Sequence, residues 1–449
     1  MSLPETGAHG RSLLLVCAAA AAGGFLFGFD QIVISGTVDA VRARYGLHAG
    51  LEGLFVSAAL IGAMVGAAAA GWLTDALGRR FNLLLAGGLT LFAALAAALA
   101  PDAALLIAAR MVGGLGVGVA SMVCPLYIAE IAPSASRGRL VTLFQFAITL
   151  GILIALISNA LLAARFAAPP GGAQVELWRL MLATQAVPSL AFLALSWPLP
   201  ESPRWLARAG RADEALAILG RFAPLAEARA ALAEVAVDAA PKGALGRLLS
   251  EDRRALGLAL ALAVFSELSG ITVVFYYGPS ILSRAGFAFG GALSGIVSIG
   301  AVNMLATLIA LTLIDRVGRR ALLLTGTAGA VACLVGITLT IGAGAGPRLV
   351  ALICGFVICF AFGIGPIKFV VVQELFPTAT RGVGAAALTV AVWGAGALVN
   401  QVFPTIRDTW GAAASFGLFA GVLALQIPFA ILLLPETAGR SIEGGPDGW

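Results

Sequence analysis

The hexapeptide DALGRR at residues 75–80 recurs as DRVGRR at residues 315–320. Two more motifs recur in the same order along the chain: EIAPSASRG (130–138) as ELFPTATRG (374–382), and PES (200–202) as PET (435–437). The three offsets are 240, 244 and 235 residues. Because three motifs recur in the same order at nearly one offset, the sequence predicts a duplicated unit that makes up most of the chain.

Apolar runs fill both copies of this unit. The chain has 449 residues, of which 60% are hydrophobic and 11% charged, whereas soluble domains carry roughly 25% charged residues. A transmembrane helix needs about 20 mostly apolar residues. Runs of that kind lie near residues 12–36, 52–74, 82–100, 103–127, 139–164, 177–199, 255–282, 291–314, 321–343, 349–373, 383–404 and 412–434. We therefore predict an all-α membrane protein with twelve spans, six in each copy.

Six is an even number, so both copies cross the membrane in the same orientation. Such parallel repeats place a substrate site between two halves that rock about it. We expect an N-terminal half at 1–199, a cytoplasmic linker with short helices at 200–254, and a C-terminal half with a short tail at 255–449. If the N-terminus is inside, the inner segments carry 19 Lys and Arg residues and the outer loops 6. This bias predicts that both termini are cytoplasmic.

Several function classes find no support in the sequence. The five cysteines lie in apolar segments without metal-ligand spacing, and we interpret them as packing residues. Only two histidines occur, and we find no nucleophile–base constellation and no nucleotide-binding loop. We therefore predict no enzyme activity, no cofactor and no metal site. The net charge of +5 is attributed to membrane orientation rather than to nucleic-acid binding.

Eight stretches resemble the sugar porter family of the major facilitator superfamily. They are GGFLFGFD (23–30), GWLTDALGRR (71–80), RMVGGLGVG (110–118), PLYIAEIAPSASRG (125–138), PESPRW (200–205), DRVGRR (315–320), ELFPTATRG (374–382) and PETAGRS (435–441). The resemblance covers the chain from end to end. It implies the twelve-helix major facilitator fold, with a central site that opens alternately to each side. We expect the monomer to be the working unit, in the lipid of a bacterial inner (plasma) membrane.

Asp30 lies in apolar sequence, where a carboxylate is costly unless something compensates its charge. The resemblance implies that it binds the coupling proton. Family symporters carry Asp at this position of span 1, where facilitators usually carry Asn, and pair it with the Arg that opens RxxGGxGxG on span 4. That residue here is Arg110. A buried carboxylate takes up a proton when its cationic partner leaves and releases it when the partner returns. The alternative is a static ion pair.

The expected substrate site departs from the family pattern. Sugar porters usually carry QQxxGxNxxxYY on span 7, where this chain reads SELSGITVVFYY (266–277). On span 10 the usual GPxxW is GPIKF (365–369), and a frequently polar position on span 11 is Gly396. These departures do not match ordinary hexose recognition. The predicted substrate contacts are Gln145, Ser266, Glu267, Thr272, Tyr276, Lys368 and Phe369.

Glu267 and Lys368 add two charges to this site. They could pair with each other, because buried charges are usually paired. They could instead contact the substrate, or face lipid or water. Since Lys368 precedes the expected stacking residue Phe369, a ligand with a carboxylate would also fit. We interpret Asn303 and Asn400, which lie in apolar spans, as hydrogen-bonding links between helices.

The repeated polar motifs lie at the predicted cytoplasmic ends of the spans. Carboxylates there could accept paired hydrogen bonds from arginines, locking the helices in one conformation and releasing them in another. The alternative is that these residues only set the topology, but their recurrence favours a gate. The predicted gate residues are Asp75, Arg79, Arg80, Glu130, Arg137, Glu201, Arg204, Asp315, Arg319, Arg320, Glu374 and Arg381.

These observations predict proton-coupled symport of a small polyhydroxylated solute, which could be a monosaccharide, a polyol or a sugar acid. Its partners would be the substrate, protons and membrane lipid, with no nucleic acid. The alternatives are a proton-coupled efflux antiporter of another small molecule and a facilitative uniporter. A transport-inactive nutrient sensor is a further possibility, but only 15 residues (435–449) follow the last span as a signalling segment.

Overall fold

The computed structural model describes residues 8–133, 137–166, 176–222, 226–229, 232, 244–341, 346–377 and 380–436. Spans 1 to 6 are Ala8–Val33 with the 3-10 turn Ile34–Gly36, Ala49–Leu77, Arg79–Leu99, Ala103–Ile131, Arg137–Phe166, and the pair Leu177–Ala183 and Ala186–Ser196. A short helix, Val38–Tyr45, connects spans 1 and 2. The linker contains the helices Pro203–Arg208, Ala212–Leu219 and Ala244–Ser250.

Spans 7 to 10 include two interrupted helices. Span 7 consists of Arg253–Leu268, Ile271–Tyr276 and Gly278–Arg284, and span 10 of Gly346–Cys359, the π-helical turn Phe360–Ile364 and Gly365–Leu375. Span 8 is Phe289–Val317 and span 9 is Arg319–Thr340. Gly270 interrupts span 7 with a left-handed φ of +81°, which glycine adopts readily. Interrupted spans free backbone polar groups, and transporters use them to line binding sites.

Spans 11 and 12 lie within Arg381–Ala424, which has a kink, and the helix Gln426–Leu432. Among the described residues, eleven helices are long and apolar enough to cross a membrane, and the last of them, Arg381–Leu432, has 52 residues. About 20 helical residues cover 30 Å, so this segment is long enough for two spans. Gly411, with φ +85° and ψ 162°, breaks the helix inside it. The break separates span 11 from span 12, and the predicted number of twelve spans is confirmed.

We call the end of the bundle that carries Gly78 and Gly318 the inner end and the opposite end the outer end, following the predicted orientation. Span 2 packs against span 11, where a Cβ on Gly53 would lie 2.2 Å from the carbonyl oxygen of Gln401. Span 8 packs against span 5 through Gly300 and Leu156. The two repeats therefore meet along two helix pairs. The division of the chain at 1–199, 200–254 and 255–449 stays a prediction.

Glycines also hold span 4 against span 2. A Cβ on Gly114 would lie 2.0 Å from the carbonyl oxygen of Ala59, and one on Gly118 would lie 2.2 Å from that of Ala63. The motif RMVGGLGVG thus allows two backbones to approach closely, as small residues do in membrane helix pairs. This packing fixes the position of Arg110, which begins the motif.

We expect Gly114→Ala to destabilise the protein by about 1–3 kcal/mol, the usual range for overpacking a core. Span 4 must move because the neighbouring atom belongs to the backbone. The matched control is Gly88→Ala on span 3, where a Cβ would have no neighbour within 4 Å. Thermal unfolding in detergent measures both variants. Equal unfolding temperatures for the two would contradict the close packing described above.

Candidate functional site

Asp30 and Arg110 face each other inside the bundle. Their exposed fractions are 2% and 4%, and Nη1 of Arg110 lies 3.5 Å from Oδ1 of Asp30. The same nitrogen lies 3.4 Å from the Asp30 carbonyl oxygen. Gln185 on span 6 donates a hydrogen bond from Nε2 to Oδ1. The predicted pairing of spans 1 and 4 is therefore present, with a third member from span 6.

One oxygen of this carboxylate has no partner. Asp30 Oδ2 is buried and makes no hydrogen bond within the described part of the chain. Nε of Arg110 is also buried and makes no hydrogen bond there. A buried carboxylate needs compensating partners, and this one is only partly compensated. The arrangement suits a group that gains and loses a proton. Gln185 was not predicted, although an amide within an apolar run was a signal that could have found it.

Glu267 and Lys368 form a second buried ion pair. Lys368 Nζ lies 2.9 Å from Glu267 Oε1 and donates a hydrogen bond of 2.8 Å to Ser266 Oγ. Of the alternatives left open by the sequence, internal pairing is the one the structure contains. On span 11, a Cβ on Gly396 would lie 3.3 Å from Glu267 Oε2. The glycine at a position that is frequently polar in sugar porters thus leaves room for a carboxylate from span 7.

Thr272 is bonded to a neighbouring helix. Asn400 on span 11 donates a hydrogen bond of 2.8 Å to its hydroxyl, and Tyr277 donates one of 3.1 Å to the carbonyl oxygen of Asn400. The interpretation of Asn400 as a link between helices is confirmed. The Thr272 hydroxyl still has a donor and a second lone pair, and a substrate contact by Thr272 stays a prediction.

Tyr276 is a buried residue on which charges of both ion pairs act. The hydroxyl of Tyr276 is within electrostatic range of Arg110, Glu267 and Asp30, and the residue is 3% exposed. The Phe369 ring is 45% exposed and its centroid lies 5.3 Å from Lys368 Nζ. Gln145 on span 5 is also exposed. Substrate contact by these residues stays a prediction.

Each repeat carries the same polar cluster at the inner end. Glu130 accepts two hydrogen bonds of 2.9 Å from the Arg79 guanidinium, and Glu201 accepts from the backbone N–H groups of Arg79 and Arg80 at 2.8 and 3.2 Å.

In the second repeat, Glu374 accepts from Arg319 at 3.2 and 3.0 Å. The counterpart of Glu201 is Glu436, which accepts from the backbone N–H groups of Arg319 and Arg320 at 3.1 and 3.2 Å. Glu436 was not predicted as a gate residue, although the recurrence of PES as PET aligns it with Glu201.

The remaining predicted gate residues have varied surroundings. Asp75 is 70% exposed and lies 3.4 Å from Arg79. Arg80 donates to the carbonyl oxygen of Trp197 at 2.7 Å, and Arg381 donates to that of Phe376 at 3.3 Å. Arg204 lies on the linker helix Pro203–Arg208. The side chains of Arg137 and Asp315 lie outside the described residues. A gating role for all of these residues stays a prediction.

At the outer end, an ion-pair network joins the two repeats. Arg407 on span 11 donates to both oxygens of Glu52 on span 2, at 2.8 and 2.9 Å. Arg42 lies 2.8 Å from Glu52 and 2.9 Å from Asp408. Glu52 is fully buried and Arg407 is 5% exposed. We call these four residues the outer network. In the sequence, Arg42 and Arg407 served only to predict the membrane orientation, and their carboxylate partners were not predicted.

Comparison with known proteins decides the family. A family profile described as "Sugar (and other) transporter" matches residues 16–449. The chain belongs to this family. Among curated relatives of the chain, the arabinose-proton symporter of Bacillus subtilis is 36% identical, covering 98% of the chain and 96% of the relative. The galactose-proton symporter of Escherichia coli is 34% identical, with the same coverage.

The fold of the chain matches a solved relative. The inward-open conformation of the xylose transporter XylE from E. coli superposes with a TM-score of 0.85, at 29% identity, covering 96% of the chain and 98% of that structure. The expected family and the twelve-helix major facilitator fold are confirmed. The outer network, which holds spans 2 and 11 together, is consistent with a conformation that is closed at the outer end.

Proposed function

We propose that this transporter couples proton movement to the uptake of a sugar or a related polyhydroxylated solute. The observation that carries the proposal is the buried Asp30–Arg110 pair, 3.5 Å apart, with one carboxylate oxygen left without a partner. Relatives that are similar over nearly their whole length include an arabinose-proton and a galactose-proton symporter. Sugar-proton symport is the activity that these observations favour.

The geometry supports a simple coupling mechanism. When Arg110 moves away, the Asp30 carboxylate loses most of its electrostatic compensation and takes up a proton, because an isolated charge is unfavourable in a buried site. When Arg110 approaches, the proton leaves. Guanidinium stays protonated at all relevant pH values, so Arg110 controls the proton without carrying it. Tyr276 would link this distance to occupancy of the substrate site, because Arg110, Glu267 and Asp30 all act electrostatically on its hydroxyl.

Further parts of the proposal follow from the sequence. We place the transporter in a bacterial inner membrane with both termini cytoplasmic, as the distribution of basic residues favours. The two inner-end clusters would act as a gate when the halves close there. The predicted substrate contacts Gln145, Ser266, Glu267, Thr272, Tyr276, Lys368 and Phe369 would line the central site. The monomer would be the working unit.

Purified protein in liposomes tests the proposed direction of coupling. With an inward proton gradient, we expect uptake of labelled arabinose, galactose or xylose above the external concentration, and a protonophore should abolish this accumulation. Adding the sugar without a gradient should make the external medium more alkaline, because protons enter with the solute. Acidification of that medium would instead indicate antiport. Sugar equilibration with no pH change would identify a uniporter.

A further inference from the structure

The Glu267–Lys368 pair lies beside both helix interruptions. Glu267 precedes the left-handed Gly270 of span 7 by three residues, and Lys368 follows the π-helical turn Phe360–Ile364 of span 10 by four. Both side chains are buried, with exposed fractions of 4% and 5%, whereas Phe369 next to them is 45% exposed. The pair is therefore buried, and the side chain next to it in sequence is partly exposed.

One N–H of Lys368 and one oxygen of Glu267 make no hydrogen bond within the described part of the chain. A lysine ammonium has three donors, and Glu267 Oε1 and Ser266 Oγ accept two of them. The third has no hydrogen-bond acceptor within the described part of the chain, and Nζ lies 5.3 and 6.0 Å from the ring centroids of Phe369 and Phe360. Glu267 Oε2 accepts no hydrogen bond there either, and it packs against Gly396, 3.3 Å from where a Cβ would lie. The pair thus offers a free donor and a free acceptor while its two charges cancel.

We infer that the Glu267–Lys368 pair selects neutral vicinal diols and rejects sugar acids. One ligand hydroxyl would accept from Lys368 Nζ, and the neighbouring hydroxyl would donate to Glu267 Oε2. A ligand carboxylate would meet a lysine whose charge is already neutralised, and it would be repelled by Glu267. The inference rests on the proposed function in taking the substrate to be a sugar. It decides between the neutral and acidic substrates that the sequence left open.

Ligand pairs that differ in one group test this inference directly. Galactose and galacturonate differ only at C6, as do glucose and glucuronate, so their remaining hydroxyls are matched. Binding without any proton gradient is measured by the rise in unfolding temperature with ligand concentration and by competition with labelled sugar. We expect the wild-type protein to bind the neutral member of a pair at least tenfold more tightly than the acid.

The variant Glu267→Gln should change this preference. It removes the neutralising charge and leaves Lys368 with an uncompensated ammonium next to the site. Because hydrogen bonds to charged partners are stronger than neutral ones, the preference for the neutral ligand should fall by about tenfold or reverse. The double variant Glu267→Gln with Lys368→Met is the matched control. It restores a site with no net charge and should again disfavour the acid.

Three outcomes overturn the inference. The first is equal binding of the acid and the neutral sugar by the wild-type protein, a result that needs no variant to fold. The second is an unchanged preference in a folded Glu267→Gln protein. The third is binding of no neutral sugar at all, which would also remove the proposed function. If gradient-driven sugar uptake is observed while either of the first two outcomes holds, only the inference fails.

Discussion

We expect Asp30→Asn to abolish accumulation of sugar against its gradient while leaving exchange intact. A pH gradient of one unit supplies about 1.4 kcal/mol per proton, which sustains at most about tenfold accumulation for one proton per sugar. Asn cannot bind or release a proton in this range, so accumulation should fall to about onefold. The amide can still fill the space of the carboxylate beside Arg110 and Gln185.

The readout that separates coupling from general damage is counterflow. Liposomes preloaded with unlabelled sugar and diluted into labelled sugar should show uptake by the variant at a rate within a few-fold of wild type. The matched control is Asp213→Asn, which removes an exposed carboxylate from the linker helix Ala212–Leu219 and should preserve accumulation. If Asp30→Asn loses counterflow as completely as accumulation, Asp30 is not a dedicated coupling residue.

Arg407→Met should open the outer end of the transporter. The substitution removes both hydrogen bonds to the fully buried Glu52, and breaking a buried ion pair costs about 3–5 kcal/mol. We expect a cost of about 3 kcal/mol, at the lower end of that range, because Arg42 still contacts Glu52 at 2.8 Å. A cost of that size shifts the equilibrium between closed and open outer ends by roughly a hundredfold.

Spin labels at Ala40 and Ala288, both exposed at the outer end, measure this shift as a distance distribution after the native cysteines are replaced. The longer distance should become the major population in Arg407→Met. Arg165→Met is the control, because it removes an exposed arginine from the outer end of span 5. An unchanged distribution in a folded Arg407→Met protein would show that the outer network does not hold the two repeats together.

The number and order of the helices could be predicted because they depend on local properties. Apolar runs of about 20 residues must span a membrane as helices, and the recurrence of DALGRR as DRVGRR revealed the repeat. The helix ends were less accurate. Span 2 continues to Leu77 and span 5 begins at Arg137, because polar residues within one turn of a span extend the helix beyond its apolar part. The break between spans 11 and 12 at Gly411 falls in the gap between the predicted apolar runs 383–404 and 412–434.

The partners of the buried charges depended on packing. Pairing of Asp30 with Arg110 was predicted from a family resemblance, but Gln185 comes from span 6 and was not. Glu52, near the start of span 2, must have a partner at membrane depth. The sequence could not show that this partner is Arg407, 355 residues away, because it becomes a neighbour only when span 11 packs on span 2.

By itself, the sequence determined a membrane-embedded duplicated bundle with a carboxylate and a guanidinium suited to proton coupling. These properties follow from hydropathy, from the recurrence of motifs and from the family pattern. The tertiary structure decided that Glu267 and Lys368 neutralise each other and that Gly396 makes room for them. The physical reason is that a buried charge requires a partner, whereas the identity of the partner depends on which helix faces meet.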